Sequence, residues 1–169
     1  MKRVLVPLAP GFEEIEAITV IDILRRAGVE VTVAGTQSGP IEASRKTKHL
    51  CDCTLDDVRA EDFDMIVLPG GLPGTTNLRN DPRVRSIIDT LHAKNRYLAA
   101  ICAAPTVLSA FGVLNGHAAT SHPSVRNEIA AAVVNARQRG APSGYPTVLH
   151  GIKRSTRSTE MLNIIRDFV

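Results

Sequence analysis

Val4-Leu5-Val6-Pro7-Leu8, a turn at Ala9-Pro10-Gly11, a helical stretch from Phe12 to Ala27, then Val29-Glu30-Val31-Thr32-Val33: the reading of this opening run decides the fold. Its first five residues are apolar throughout, as a strand buried on both faces requires. Between Phe12 and Ala27 the residues Ile15, Ile18, Ile21 and Leu24 recur every three positions, Glu13 and Glu14 suit a helix start, and Gly28 suits its end. Residues 29–33 alternate apolar and polar, the period of a strand. Strand, helix and strand in that order make a βαβ unit, whose strands run parallel.

The same order repeats downstream. Met65-Ile66-Val67-Leu68 reads as a strand ending in the loop Pro69-Gly70-Gly71-Leu72-Pro73-Gly74. Pro82 to Lys94 carries Val84, Ile87, Ile88 and Leu91 at helical spacing, and an apolar strand follows it into Cys102. A further helix is expected from Ser124 to Ala136, with Ser124 as its cap. There is no internal repeat, heptad pattern or long linker, so the 169 residues read as a single domain of class α/β.

Composition narrows the function classes. Hydrophobic residues at 44% and charged residues at 22% are those of an ordinary globular protein. Met1-Lys2-Arg3 leads straight into the first strand, too short a run for a signal peptide, and no apolar stretch approaches the roughly 18 residues of a membrane span. The expected address is the cytoplasm, with no membrane partner. Three cysteines form no disulfide framework, which agrees with a reducing compartment. The net charge of +3 is concentrated: Arg137, Arg139, Lys153, Arg154, Arg157 and Arg166 face only Glu160 in the segment they span. With no Trp and only two Tyr and four Phe, no stacking platform accompanies that charge, so nucleic acid is not the expected partner.

Cys102 lies where an apolar strand, Leu98-Ala99-Ala100-Ile101, meets Ala103-Ala104-Pro105-Thr106, and the proline suits a helix's first turn. A thiol at such a corner is either a small packed hydrophobe or a nucleophile whose ionisation the helix N-terminus favours. In a parallel sheet, ligands bind beyond the carboxyl ends of the strands. Three loops are expected there: Pro10 to Glu16, Pro69 to Gly74, and Cys102 to Thr106. Glu16 would bring a carboxyl group able to share a proton with the thiol. Gly70 and Gly71, with Ala103, offer backbone N–H groups for an oxyanion hole. His49-Leu50-Cys51-Asp52-Cys53 has the residue types of a zinc site but no evident fourth ligand, so no metal is expected and the two thiols are placed on a small surface hairpin.

As a set, Leu8-Ala9-Pro10-Gly11-Phe12-Glu13-Glu14-Ile15-Glu16, Arg25 to Gly35, Val67-Leu68-Pro69-Gly70-Gly71, Ala99 to Thr106 and His122-Pro123 resemble the ThiJ/PfpI superfamily, in the branch of the parkinsonism-associated protein deglycase. The resemblance implies a flavodoxin-like three-layer sandwich with a mainly parallel sheet, and a homodimer. It makes Cys102 an oxidation-sensitive nucleophile, Glu16 a protonated carboxyl bonded to its sulfur, His122 a nearby histidine, and Gly71 and Ala103 oxyanion donors. It places Arg26 and Arg45 near the site or the dimer seam. The peptidase branch has a histidine after the cysteine; Ala103 stands there, which argues against proteolysis.

The activity so implied is cysteine-dependent chemistry on small reactive carbonyls or glycated side chains, with no cofactor. The rival from another class is a redox sensor or chaperone with an oxidisable cysteine, and a thiamine-related role is weaker still. The likeness breaks off between about Arg137 and Met161 and resumes at Leu162-Asn163-Ile164-Ile165 without a change in spacing, the pattern that two compensating frame changes would leave.

Overall fold

β1 (Arg3–Leu8), α1 (Glu14–Arg26) and β2 (Glu30–Gly35) form the expected parallel unit, with Val4 opposite Val31 and Val6 opposite Val33. A hairpin of β3 (Ile41–Glu42) and β4 (Lys48–His49) stands apart, and β5 (Cys53–Thr54) rejoins the sheet beside β2. Then come β6 (Met65–Leu68), α2 (Gly74–Asn80), α3 (Pro82–Ala93), β7 (Tyr97–Ile101), α4 (Pro105–Ala110), 3₁₀ turns over Pro123–Ile129, and β8 (Thr147–His150). This computed structural model describes residues 1–115, 117 and 119–129 and, as backbone, the strand β8.

The strand order is β5-β2-β1-β6-β7-β8, parallel at every pairing except the antiparallel β7–β8. Side-chain alternation divides the core in two. Val4, Val6, Leu8, Val31, Val33 and Val67 pack on one face with Ala17, Ile21 and Leu24 of α1. On the other face Leu5, Ile66, Leu68, Leu98 and Ala100 meet Val84, Ile87, Ile88 and Leu91 of α3 and Val107 and Leu108 of α4. Two helical layers around one mostly parallel sheet give the expected flavodoxin-like sandwich. The connection from β1 moves to β2 on one side, while β6 joins β1 on the other. The ends of β1, β6 and β7 therefore lie side by side, at the crevice where such sheets bind ligands.

Four expectations need correction or reassignment. The buried stripe of α1 is Ala17, Ile21 and Leu24, while Ile15 and Ile18 face outward, because a period of 3.6 carries a three-residue repeat around the helix. Within the expected helix of 124–136, residues up to Ile129 form 3₁₀ turns that begin at Pro123, and 130–136 lie outside the described residues. Cys51 and Cys53 are not on the hairpin: Cys53 belongs to β5 at the sheet edge and Cys51 precedes it. Of the segment that departs from the family pattern, 137–161, only the β8 backbone is described, paired with β7 from Leu98 to Ile101.

Candidate active site

Cys102 is the first residue after β7 and adopts φ +60. That left-handed conformation costs a residue with a Cβ roughly 1–2 kcal/mol, and its neighbours hold it there. The His122 N–H donates to the Cys102 carbonyl at 2.7 Å, and the Ala104 N–H to the Ile101 carbonyl at 2.9 Å. The result is a strand–elbow–helix turn that lifts a half-buried thiol out of the sheet line.

Glu16, in the first turn of α1, meets it from the β1 side. The Gly70 N–H donates to Glu16 Oε2 at 2.9 Å, and the same carboxyl group hydrogen-bonds the Cys102 sulfur. Only glycine fits at position 70: an added Cβ would stand 2.5 Å from Glu16 Oε2 and 2.7 Å from the Cys102 Cβ. Gly71, at φ +92, is as constrained, since its Cβ would come within 2.5 Å of the Glu13 nitrogen. The three loops predicted to converge thus do so.

Burial and the Glu16 charge push the Cys102 thiol up to about 11, against the lowering by the Ala103 and Gly71 N–H groups that point at its sulfur. This reverses the expectation that a helix terminus would favour the thiolate. α4 starts three residues beyond Cys102 and is only six residues long, so desolvation outweighs it. Burial also raises Glu16 above its ordinary 4.5, with the Glu13 charge adding to the rise, while the Cys102 and Gly70 hydrogen bonds and His122 oppose it. Both shifts have one main cause: burial disfavours each charged form, and the two groups, hydrogen-bonded to each other, resist being ionised together.

The other expected residues divide. Gly71 and Ala103 present their amides to the sulfur, beside which an oxyanion on an adduct would form. The Gly70 amide is taken by Glu16, so it positions the carboxyl group instead of serving as a free donor. His122 closes the elbow through its backbone; its exposed ring bonds Ser124 Oγ through Nδ1 at 2.8 Å and acts on Glu16 through its charge. Arg26 pairs with Asp22 one turn back on α1. The Arg45 N–H donates to Glu14. His49 sets its ring edge against Phe12, and among the described residues no three His, Cys, Asp or Glu side chains gather as a metal site.

Glu13 and Glu14 do more than suit the start of α1. Glu13 is the cap of α1, accepting the Glu16 N–H at 2.9 Å, and its own N–H donates to the Gly70 carbonyl at 3.0 Å. Glu14 accepts from Ser44 Oγ, the Arg45 N–H and Thr47 Oγ1, tying the β3–β4 hairpin to the helix. The three-residue spacing of Glu13 and Glu16, that of a capping box, was the available signal.

The chain matches the DJ-1/PfpI family over residues 2–148. It is 43% identical over 129 residues to Protein dj-1beta of Drosophila melanogaster, covering 76% of this chain and 69% of the relative. It is 35% identical over 129 residues to the glutathione-independent glyoxalase DJR-1.2 of Caenorhabditis elegans, covering 76% and 68%. Among solved structures, the oxidized form of Toxoplasma gondii DJ-1 superposes with a TM-score of 0.73 at 38% identity, over 76% of this chain and 71% of that one.

Proposed function

The chain belongs to the DJ-1/PfpI family, and from that premise we propose a cysteine-dependent enzyme of glyoxalase or deglycase type that acts on small reactive carbonyls without glutathione. The observation that carries this reading is the hydrogen-bonded Cys102–Glu16 pair, with the Gly71 and Ala103 amides set against the sulfur. A relative named as a glutathione-independent glyoxalase supports it.

In this reading the Cys102 sulfur adds to the aldehyde carbon of methylglyoxal as its proton passes to Glu16. The new alkoxide forms against the Gly71 and Ala103 N–H groups and takes that proton from Glu16, giving a hemithioacetal and restoring the carboxylate. Glu16, as carboxylate, removes the hydrogen on the former aldehyde carbon and returns it to the neighbouring carbon through an enediol, leaving a thioester. Water hydrolyses the thioester to lactate and frees the thiol; glyoxal would give glycolate. The sequence is an internal oxidation–reduction plus water, so no external oxidant or cofactor enters. The same addition suits an early glycation adduct on a protein side chain. Its setting would be cytoplasmic, as a homodimer whose seam is the outward apolar face of α1.

Purified chain should form lactate from methylglyoxal with no added thiol. Cys102→Ala should abolish this, and Glu16→Gln should remove most turnover while leaving an alkylatable thiol. Folded protein with a reactive Cys102 that yields neither lactate nor glycolate and clears no glycation adduct would sink the enzyme reading. The second reading, an oxidisable sensor, would then lead: the two amides that face the sulfur could equally hold a sulfinate oxygen, and a similar structure is that of an oxidized form.

A further inference from the structure

Glu13 and Glu16 occupy the first and last positions of a capping box, yet only half of the box is built. The Glu13 carboxylate accepts the Glu16 N–H at 2.9 Å, as the motif requires. In the complete motif the Glu16 side chain would turn back to the Glu13 N–H. Here that N–H donates instead to the Gly70 carbonyl at 3.0 Å, and the Glu16 carboxyl group is turned to the Gly70 N–H and the Cys102 sulfur. Glu13 thus grips both partners of the reactive carboxyl: the Glu16 backbone through its side chain, and the Gly70 turn through its own backbone. Glutamate is also a poor choice if capping were the whole purpose, since Ser, Asp, Asn or Thr is preferred at that position. What glutamate adds is a longer reach and a charge beside the first turn of α1.

We propose that Glu13 is a positioning residue for the Cys102–Glu16 pair: it aims Glu16 at Gly70 and Cys102, and its negative charge beside Glu16 raises the share of the pair in which the proton has passed from the sulfur to the carboxylate. The groups that face Glu16 are Glu13 from its own helix start, Cys102 from the elbow after β7, and His122 from the segment after α4; Glu13 raises its proton affinity and His122 opposes that rise. This rests on the pair being the reactive centre, as in the proposed function, but not on any particular substrate.

The experiment uses the full chain and needs no turnover. Glu13→Gln keeps an oxygen that can accept the Glu16 N–H and removes the charge; Glu13→Ser keeps the cap with a shorter side chain and serves if the glutamine variant fails to fold. Asp22→Asn, an exposed charge removed elsewhere on α1, is the control. The pH dependence of Cys102 alkylation by iodoacetamide is read by peptide mass spectrometry, and the Glu16 titration by carbon-13 carboxyl NMR. In the neutral Glu13 variants the Glu16 midpoint should move down by about half a pH unit and Cys102 alkylation near neutral pH should fall about threefold, the same free-energy change read twice. Asp22→Asn should move neither. A slower alkylation with an unmoved Glu16 midpoint would mean that Glu13 acts only through structure, and an unchanged rate and midpoint would mean that it does not act on the pair at all; either result overturns the proposal. Because neither readout involves a carbonyl substrate, the carbonyl reading stands or falls separately.

Discussion

At the residue scale the site is a contest between three thiols in unequal surroundings. Burial pushes Cys51 up to about 11, as it does Cys102, and raises Cys53, with Asp52 adding to the rise at both. Ordinary acidity therefore does not select Cys102. In the proposed reading, selection comes from Glu16 as a base in hydrogen-bond contact and from two backbone amides aimed at the sulfur; among the described residues burial and nearby acidic charges alone act on Cys51 and Cys53. Brief iodoacetamide labelling near neutral pH should modify Cys102 roughly tenfold faster than either of the others, as general-base assistance permits. Equal labelling of the three would refute the nucleophile assignment. The same shifts set a stability trend. A thiol near 11 in the fold and 9.0 when unfolded ionises first in the unfolded chain. Its contribution is therefore complete below pH 9.0 and is lost as pH rises through about 11. Urea unfolding across that window should show wild-type stability falling with pH, with a shallower fall in Cys102→Ala.

At the scale of elements, the positions of β1, β6 and β7 decide what the residues can do, because three adjacent strand ends deliver Glu16, Gly70 and Cys102 to one point. The Gly70 turn is the keystone. A Cβ there would meet both Glu16 Oε2 and the Cys102 Cβ, so Gly70→Ala should displace the carboxyl group and cut Cys102 alkylation severalfold while the fold persists. An alanine variant that alkylates at the wild-type rate would show that Glu16 does not act on the sulfur. Most of this was legible in the chain. Continuous apolar runs at 4–8 and 65–68, and the proline after Cys102, mark buried strands and an elbow by local chemistry alone. What was not legible depended on contacts between distant residues. The two-residue strands β3, β4 and β5 are too short to carry a period, and α2 begins inside a Pro-Gly-rich run that reads as loop. The use of the Gly70 amide on Glu16 spans 54 positions. The rise in the Cys102 pKa follows from burial, which the residue's neighbours in sequence do not reveal.

For the whole molecule, the question is what covers the outer face of α1. Ile15 is 74% exposed, Ile18 39% and Ile23 50%, and Leu50, just beyond the hairpin that Glu14 ties to this helix, is 78% exposed. Ile15, Ile23 and Leu50 contribute little to the fold of one chain, because half or more of each remains in water, and Ile18 keeps over a third of its surface there. Large exposed aliphatic residues clustered on one helix mark an association surface, and a two-fold interface would use the same face of both copies. Glu13 and Glu16 stand at the start of this helix, so the proposed seam would run alongside the reactive pair without supplying it. Ile18→Glu should leave the thermal midpoint of the isolated chain nearly unchanged, since substitutions at exposed positions rarely exceed about 0.5 kcal/mol. In sedimentation it should convert a two-copy species into a single copy, because each copy would bring a charge into the apolar seam. Wild-type protein that sediments as one copy at micromolar concentration would show that this face is not a seam. An Ile18→Glu variant that still pairs would move the seam elsewhere on the molecule.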